Sequence, residues 1–254
     1  NTAAIERLGA KWKTPKDVTK ITKDFIETSE WVDKMEKWGA GYAKLTKDTL
    51  LQGIQNGWGP KYTATMMRKH AQNIPYSAAE NLTRTLQITS YREASLAMEK
   101  INGGFIQYKI RIASLGYNTC LSCIALHGTR LEAGERVDDH FRGLCSEYFV
   151  LPGGDEYPPM MQSDSTPGNR KFIPFKNGTD WFNSLSPERQ AMQASFMNSP
   201  ANLRSFMAGT PLSDFVGDHV DDVFGHMVIE KSLINTLGNG ASKYYSRNQP
   251  ATEA

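Results

Sequence analysis

The sequence predicts an α+β protein, predominantly α-helical, with a small central β-sheet carrying a Cys/His knuckle. Three observations predict it. Apolar residues recur at helical spacing before Gly103-Gly104; the run FIQYKIRI from Phe105 alternates with a period of two; and a C-x-x-C follows that run, with His140 and Cys145 downstream. The expected organisation is an N-terminal helical region over 1–104, a sheet unit with the Cys/His site over 105–151, an extended linker or arm over 152–178, and a C-terminal helical region over 179–254.

Each element has a local cause. Thr14-Pro15-Lys16-Asp17 offers a capping hydroxyl, a proline at the first helical position and an early acid, so a helix is expected to about Thr28. Trp31, Met35, Trp38, Tyr42, Leu45 and Leu50 continue at near-helical spacing until Gly53, Gly57 and Gly59 interrupt them. Lys61 to Asn73 reads as a third helix, and Ser77-Ala78-Ala79-Glu80 as a capping box that opens a fourth running to Lys100. Alternation from Phe105 places Ile106, Tyr108, Ile110 and Ile112 on one face of a strand and Gln107, Lys109 and Arg111 on the other. Thr129 to Leu131 and Tyr148 to Leu151 are weaker strands. Residues 152–178 are dense in Pro, Gly and Ser, which favours an extended arm. Ser186-Pro187 and Ser199-Pro200 then open helices, Gly209 closes the second, and DFVGDHVDDVFG and EKSLINTLG read as further helix before a frayed tail.

Composition excludes some classes of function. No stretch has the roughly 18 uninterrupted apolar residues of a membrane span, and the first residues lack the apolar core of a signal peptide, so a cytosolic product is expected, with no membrane partner. A net charge of +2 is too small for a protein that coats nucleic acid by electrostatics alone. Three cysteines in 254 residues are far from a disulfide scaffold.

Their spacing matters more than their number. Cys120-Leu121-Ser122-Cys123 follows the best strand, and His140 and Cys145 follow in DHFRGLC; these four side chains could close a tetrahedron. Thiolate sulfur and imidazole nitrogen are preferred zinc ligands, and a closed shell of four is the structural rather than the catalytic form. His127 competes for the fourth position. Two other readings stand beside this one: buried thiols without a metal, and a Cys120–Cys123 disulfide, which no redox-protein pattern accompanies.

The run NLTRTLQITSYREASLAMEKI, then a strand, then TCLSCIALHG, then HFRGLC resembles the phage Mu F-like minor head (head morphogenesis) proteins. Members of that family carry an Arg-Thr-Glu helix, a C-x-x-C with a nearby Gly, and an ending of the form H-P-x-C-R-C. Arg84 and Thr85 match the first motif, Cys120, Cys123 and Gly128 the second, and His140 and Cys145 the outer positions of the third. Leu86 stands where the family has Glu, Phe141 replaces Pro, and Gly143 and Leu144 occupy the inner Cys and Arg positions. The later GTDWFNSLSPERQ and Leu212-Ser213-Asp214-Phe215-Val216 are similar to segments downstream in some members. The resemblance implies a virion component near the portal, acting in head assembly, DNA packaging or DNA delivery. Its implied partners are the portal protein, major capsid or scaffold protein and phage DNA, and it implies no catalytic residues. Trp31, Trp38, Trp58 and Trp181 would be interface anchors or core residues.

The enzymatic alternative is a metal-dependent hydrolase using Asp138, Asp139 and His140, or Asp218, His219, Asp221 and Asp222, the latter expected on one helix face. No nucleotide-binding or nucleophile-elbow motif occurs. A zinc-knuckle nucleic-acid module is the other alternative, because Lys109, Arg111, Arg130, Arg136 and Arg142 surround the site; Glu132, Glu135, Asp138 and Asp139 dilute that patch.

Overall fold

The structure, a computed structural model, describes residues 6, 9, 12–13, 18–28, 41–70, 76–116, 119–140, 143–161, 172–190, 200–221 and 225–245. It is a helix-dominated α+β fold. Helices α1 (Val18–Thr28), α2 (Tyr42–Gln55), α3 (Pro60–His70) and α4 (Tyr76–Asn102) form the N-terminal layer. Gly57, with φ +66°, turns the chain between α2 and α3, and Pro60 takes the first position of α3, where its missing N–H costs nothing. Ile26, Leu50, Met67, Leu82 and Leu86 meet as the core of this layer. Many of its buried residues are hydroxyls that satisfy themselves on the preceding turn: Thr83 donates to the Ala79 carbonyl at 2.7 Å and Ser90 to the Leu86 carbonyl at 2.8 Å. A polar-looking helix is therefore buried.

Helix α4 already includes Tyr76, one residue ahead of the expected capping serine, and Glu80 accepts from Arg84 at 3.1 Å within it. Trp31 and Trp38, the helix start at Thr14 and the end of the third predicted helix lie outside the described residues.

Beyond Gly103–Phe105, a 3-10 turn, strands β1 (Tyr108–Ile112), β2 (Arg130–Leu131) and β3 (Ser146–Val150) form a three-stranded antiparallel sheet in the order β2-β1-β3. Ile110 sits opposite Arg130 on one side and Tyr148 on the other. The alternation predicts a solvent-facing side for Lys109 and Arg111. Both are buried, with Lys109 fully so. The reason is ion pairing: Lys109 Nζ donates to Glu99 Oε2 of α4 at 2.8 Å and to the Glu135 carbonyl at 2.6 Å, and lies 3.0 Å from Glu147 Oε2 of β3. A buried charge persists only when partnered in this way.

Helix α5 (Leu121–Leu126) leaves the sheet unit and packs on the C-terminal part. The 152–178 segment, expected as an extended arm, folds back: β4 (Met160–Met161) pairs with β5 (Phe172–Ile173), and Phe175 stacks on Tyr157 and His127. Helices α6 (Gly178–Asn183) and α7 (Pro200–Met207) follow, and Gly209, with φ +101°, lies just beyond the end of α7. Trp181, Phe182, Leu203 and Phe215 build the C-terminal core around Leu121 and Ile124. One expectation fails here. Within DFVGDHVDDVFG, Val216–Asp221 is not helical but forms strand β6, which pairs with β7 (Gly225–Glu230) so that Asp221 faces Gly225. β-branched Val216, Val220, Val228 and Ile229 favour strand, and Gly225 takes φ +75° at the turn. Helix α8 (Leu233–Leu237) and the 3-10 turn Gly238–Tyr244 close the described chain. No described helix is long and apolar enough to cross a membrane.

Candidate metal centre

The site is assembled where α5 begins. Cys120 is the N-cap of that helix in extended conformation, and its sulfur accepts from the Cys123 backbone N–H at 3.4 Å. This places the two sulfurs of the C-x-x-C on one side of a tight turn. The loop after β2 carries His140 to them: His140 Nε2 lies 3.1 Å from Cys120 Sγ and 3.1 Å from Cys123 Sγ. Cys145, just before β3, sets its sulfur 3.5 Å from Cys123 Sγ. All four predicted residues line one recess of about 70 Å³, together with Ala113, Gly143 and Leu144.

Two triads of donor atoms share Cys123. In Cys120–Cys123–His140 and in Cys123–Asp139–Cys145 every donor atom lies within 4.8 Å of the others. Around a tetrahedral zinc ion with Zn–S near 2.3 Å and Zn–N near 2.0 Å, neighbouring donors stand roughly 3.5–3.8 Å apart. Within Cys120–Cys123–His140 the sulfur–imidazole contacts are a few tenths shorter than that, whereas Cys145 stands at that separation from Cys123 alone and belongs to the second triad. This donor set can hold a metal ion.

Electrostatics favour thiolate at Cys120 and Cys145 and oppose it at Cys123. The hydrogen bond from Cys123, with His140 beside it, draws Cys120 down to about 4, while Cys123, a buried donor between two sulfurs, is pushed up. Cys145 is lowered, first by the Cys123 hydrogen bond and then by Arg111. A divalent cation would displace the proton that Cys123 holds.

Asp139 belongs to the cluster of the alternative, hydrolytic reading. Its side chain is fully buried and it organises the loop: Oδ2 accepts from Arg92 at 2.8 Å and from the Cys145 backbone at 3.1 Å, and Oδ1 accepts from the His140 backbone at 3.0 Å, with Arg111 at 3.4 Å. Burial opposes its charge, but Arg92, His140 and Arg111 outweigh burial and hold the carboxyl below the usual range. Arg92 also donates to the Cys145 carbonyl, from Nε at 3.1 Å and Nη2 at 2.6 Å. Sequence reasoning missed Arg92, because a single arginine inside a helix carries no signal; Arg84, chosen from the motif, pairs with Glu80 within α4.

The remaining candidates lie apart from the sulfurs. His127 Nδ1 accepts from the Ala113 backbone at 2.9 Å, and burial lowers its pKa to about 4, so it is a neutral buried ring and not a member of either triad. Gly128 takes φ +88°, which an L side chain resists, and packs on Phe175. Asp138 pairs with His226 of β7 at 2.8 Å, and Asp218 lies 3.6 Å from the same ring. On a strand, Asp218 points away from His219 and Asp221, so the expected acidic helix face does not exist; Asp222 lies outside the described residues. Among the basic residues weighed for phosphate contact, Lys109 and Arg111 are buried, Arg130 pairs with Glu132 and Arg136 with Glu93, and Arg142 lies outside the described residues. Trp181 is core, and Trp58 is half-buried against Tyr62.

No family model, curated protein or solved structure matches this chain.

Proposed function

We propose that the protein is a bacteriophage minor head component acting near the portal, and that Cys120, Cys123, His140 and Cys145 hold a structural zinc ion that fixes its small sheet. The observation that carries this reading is the convergence of the two halves of the motif: the C-x-x-C and the distant His140 and Cys145 face one recess. Three sulfurs and one imidazole suit zinc over the hard cations that carboxylates select. A shell closed by protein donors leaves no open position for substrate, which agrees with a structural rather than a catalytic part. The resemblance to Mu F-like proteins supplies the head-assembly context, with portal and capsid or scaffold proteins as partners and phage DNA as a secondary contact.

Two measurements test the reading. Elemental mass spectrometry of the reduced, purified chain is expected to give about one zinc per chain, lost in the Cys120→Ser, Cys123→Ser double variant. Proteomics of purified heads is expected to recover the chain with portal and capsid proteins. A catalytically active monomer that is absent from particles would overturn the head-protein reading.

A further inference from the structure

Two candidates for the fourth donor adjoin the Cys120–Cys123–His140 triad: Cys145, 3.5 Å from Cys123 Sγ, and Asp139, whose Oδ1 lies 3.6 Å from Cys123 Sγ and 3.7 Å from His140 Nε2. We infer that Cys145 is the ligand, and that Asp139, locked by Arg92 and Arg111, is an outer-shell positioning residue that sets how tightly the metal is held. This inference rests on the zinc reading of the site.

The first argument is occupancy of the carboxylate. Both oxygens of Asp139 are already engaged by two guanidinium groups and two backbone N–H groups. A ligand oxygen would have to give up those partners and would bring two arginines against a divalent cation. The second argument is charge. Zinc with three thiolates carries one net negative charge, and Asp139 adds another; Arg92 and Arg111, 14% and 4% exposed, cancel both. If Asp139 replaced Cys145 as a ligand, the buried pair of arginines would face one charge too few.

The third argument comes from Gly143, which stands where the resembling family has its inner cysteine. A Cβ at Gly143 would lie 2.2 Å from the Asp139 carboxyl. The carboxylate therefore fills the space a side chain at 143 would need, and the loop closes over it, with Gly143 N–H donating to the His140 carbonyl at 2.9 Å. From there the carboxylate orients the two flanking ligands through the backbone N–H groups of His140 and Cys145. Groups that orient ligands in this way typically change metal affinity roughly 10–100-fold when removed.

The test is a cobalt(II) titration of the full chain with chelator competition, read by absorption. For Asp139→Asn the expected result is a roughly 10–100-fold weaker affinity with the thiolate-to-cobalt charge-transfer band and the d–d pattern unchanged. For Cys145→Ser the charge-transfer intensity falls. Gly143→Ala, which displaces the carboxylate without removing it, is expected to weaken binding as Asp139→Asn does and supplies a second route should the Asn variant fold poorly. A d–d shift in Asp139→Asn with an unchanged band in Cys145→Ser would make Asp139 the ligand and overturn the inference. Unchanged affinity in both Asp139→Asn and Gly143→Ala would also overturn it, while leaving the zinc site standing. A wild-type chain that takes no metal would instead sink the zinc reading, and this inference with it.

Discussion

The two sides of helix α5 look into cores of different make. Leu121 and Ile124 face a broad apolar cluster with Trp181, Phe182, Leu203 and Phe215. Cys123, with Cys120 at the helix cap, faces a small one made of Ala113, Leu131, Val137 and Cys145, without an aromatic ring. Burying a large apolar side chain stabilises by about 1.5–3 kcal/mol, so the first cluster, with its aromatic rings, gains more from buried area than the second. Around the second, stability also comes from directed bonds: the Cys/His donors, Asp139 with its two arginines, and Lys109 between Glu99 and Glu147. A short helix thus joins a part held by area to a part held by geometry.

The largest expected effect separates the two. Structural zinc is worth on the order of 10 kcal/mol to a small site, so chelation or the Cys120→Ser, Cys123→Ser pair should unlock the sheet unit. Hydrogen exchange should show amides in β1 and β3 losing protection, while those around Trp181 and Phe215 keep theirs. Uniform loss across both cores would mean that the two parts fold as one unit.

Breaking the ion network comes next. Lys109→Met leaves Glu99 and Glu147 buried without their cation and is expected to cost about 3–5 kcal/mol in denaturant unfolding. Replacing all three with apolar residues of similar size should recover most of the loss, because desolvation of the charges disappears with their attraction. On the apolar side, Phe182→Ala should cost a similar 3–5 kcal/mol by opening a cavity, yet leave metal stoichiometry untouched. A variant on that side that also released metal would show α5 to be a rigid coupler and not merely a shared wall.

Acid should weaken the sheet unit through His127. Unfolded, the ring takes its proton near 6.5; buried, it resists until about 4. Between those values the unfolded chain binds the proton and the folded one does not. Stability is therefore full above about pH 6.5 and falls as the pH drops towards 4, by about 3 kcal/mol at most. Comparing urea midpoints of the wild type and His127→Gln across that window isolates this effect from the thiols, and equal slopes would remove His127 as its source.

What the sequence made legible follows the same division. Helix α4 and strand β1 are readable because their patterns repeat over many residues, and the Cys120–Cys123–His140 group is readable because thiol and imidazole spacing encodes a chemical requirement. The burial of Lys109 and Arg111 is not, since their partners Glu99, Glu147 and Asp139 come from three other segments and period-two alternation records only local polarity. The β6–β7 hairpin is not legible as strand because it lies among helical segments whose pattern it continues, while valines and a glycine at positive φ decide for strand. Gly143 was noted only as a departure from a motif; its role needed the position of Asp139.

Arg84 gives the smallest effect and the sharpest contrast with Arg92. Both lie on α4, and sequence likeness singles out Arg84, which pairs with Glu80 one turn away with its side chain 24% exposed. Such a helical pair contributes about 0.3–0.5 kcal/mol, so Arg84→Ala should shift unfolding by no more than that and leave metal affinity unchanged. Arg92 reaches the Cys145 carbonyl and Asp139, so Arg92→Ala should weaken metal binding severalfold as well as unfolding. If Arg84→Ala impaired metal binding and Arg92→Ala did not, the helix would communicate with the site through its N-terminal half, and the outer shell would have to be redrawn around the motif arginine.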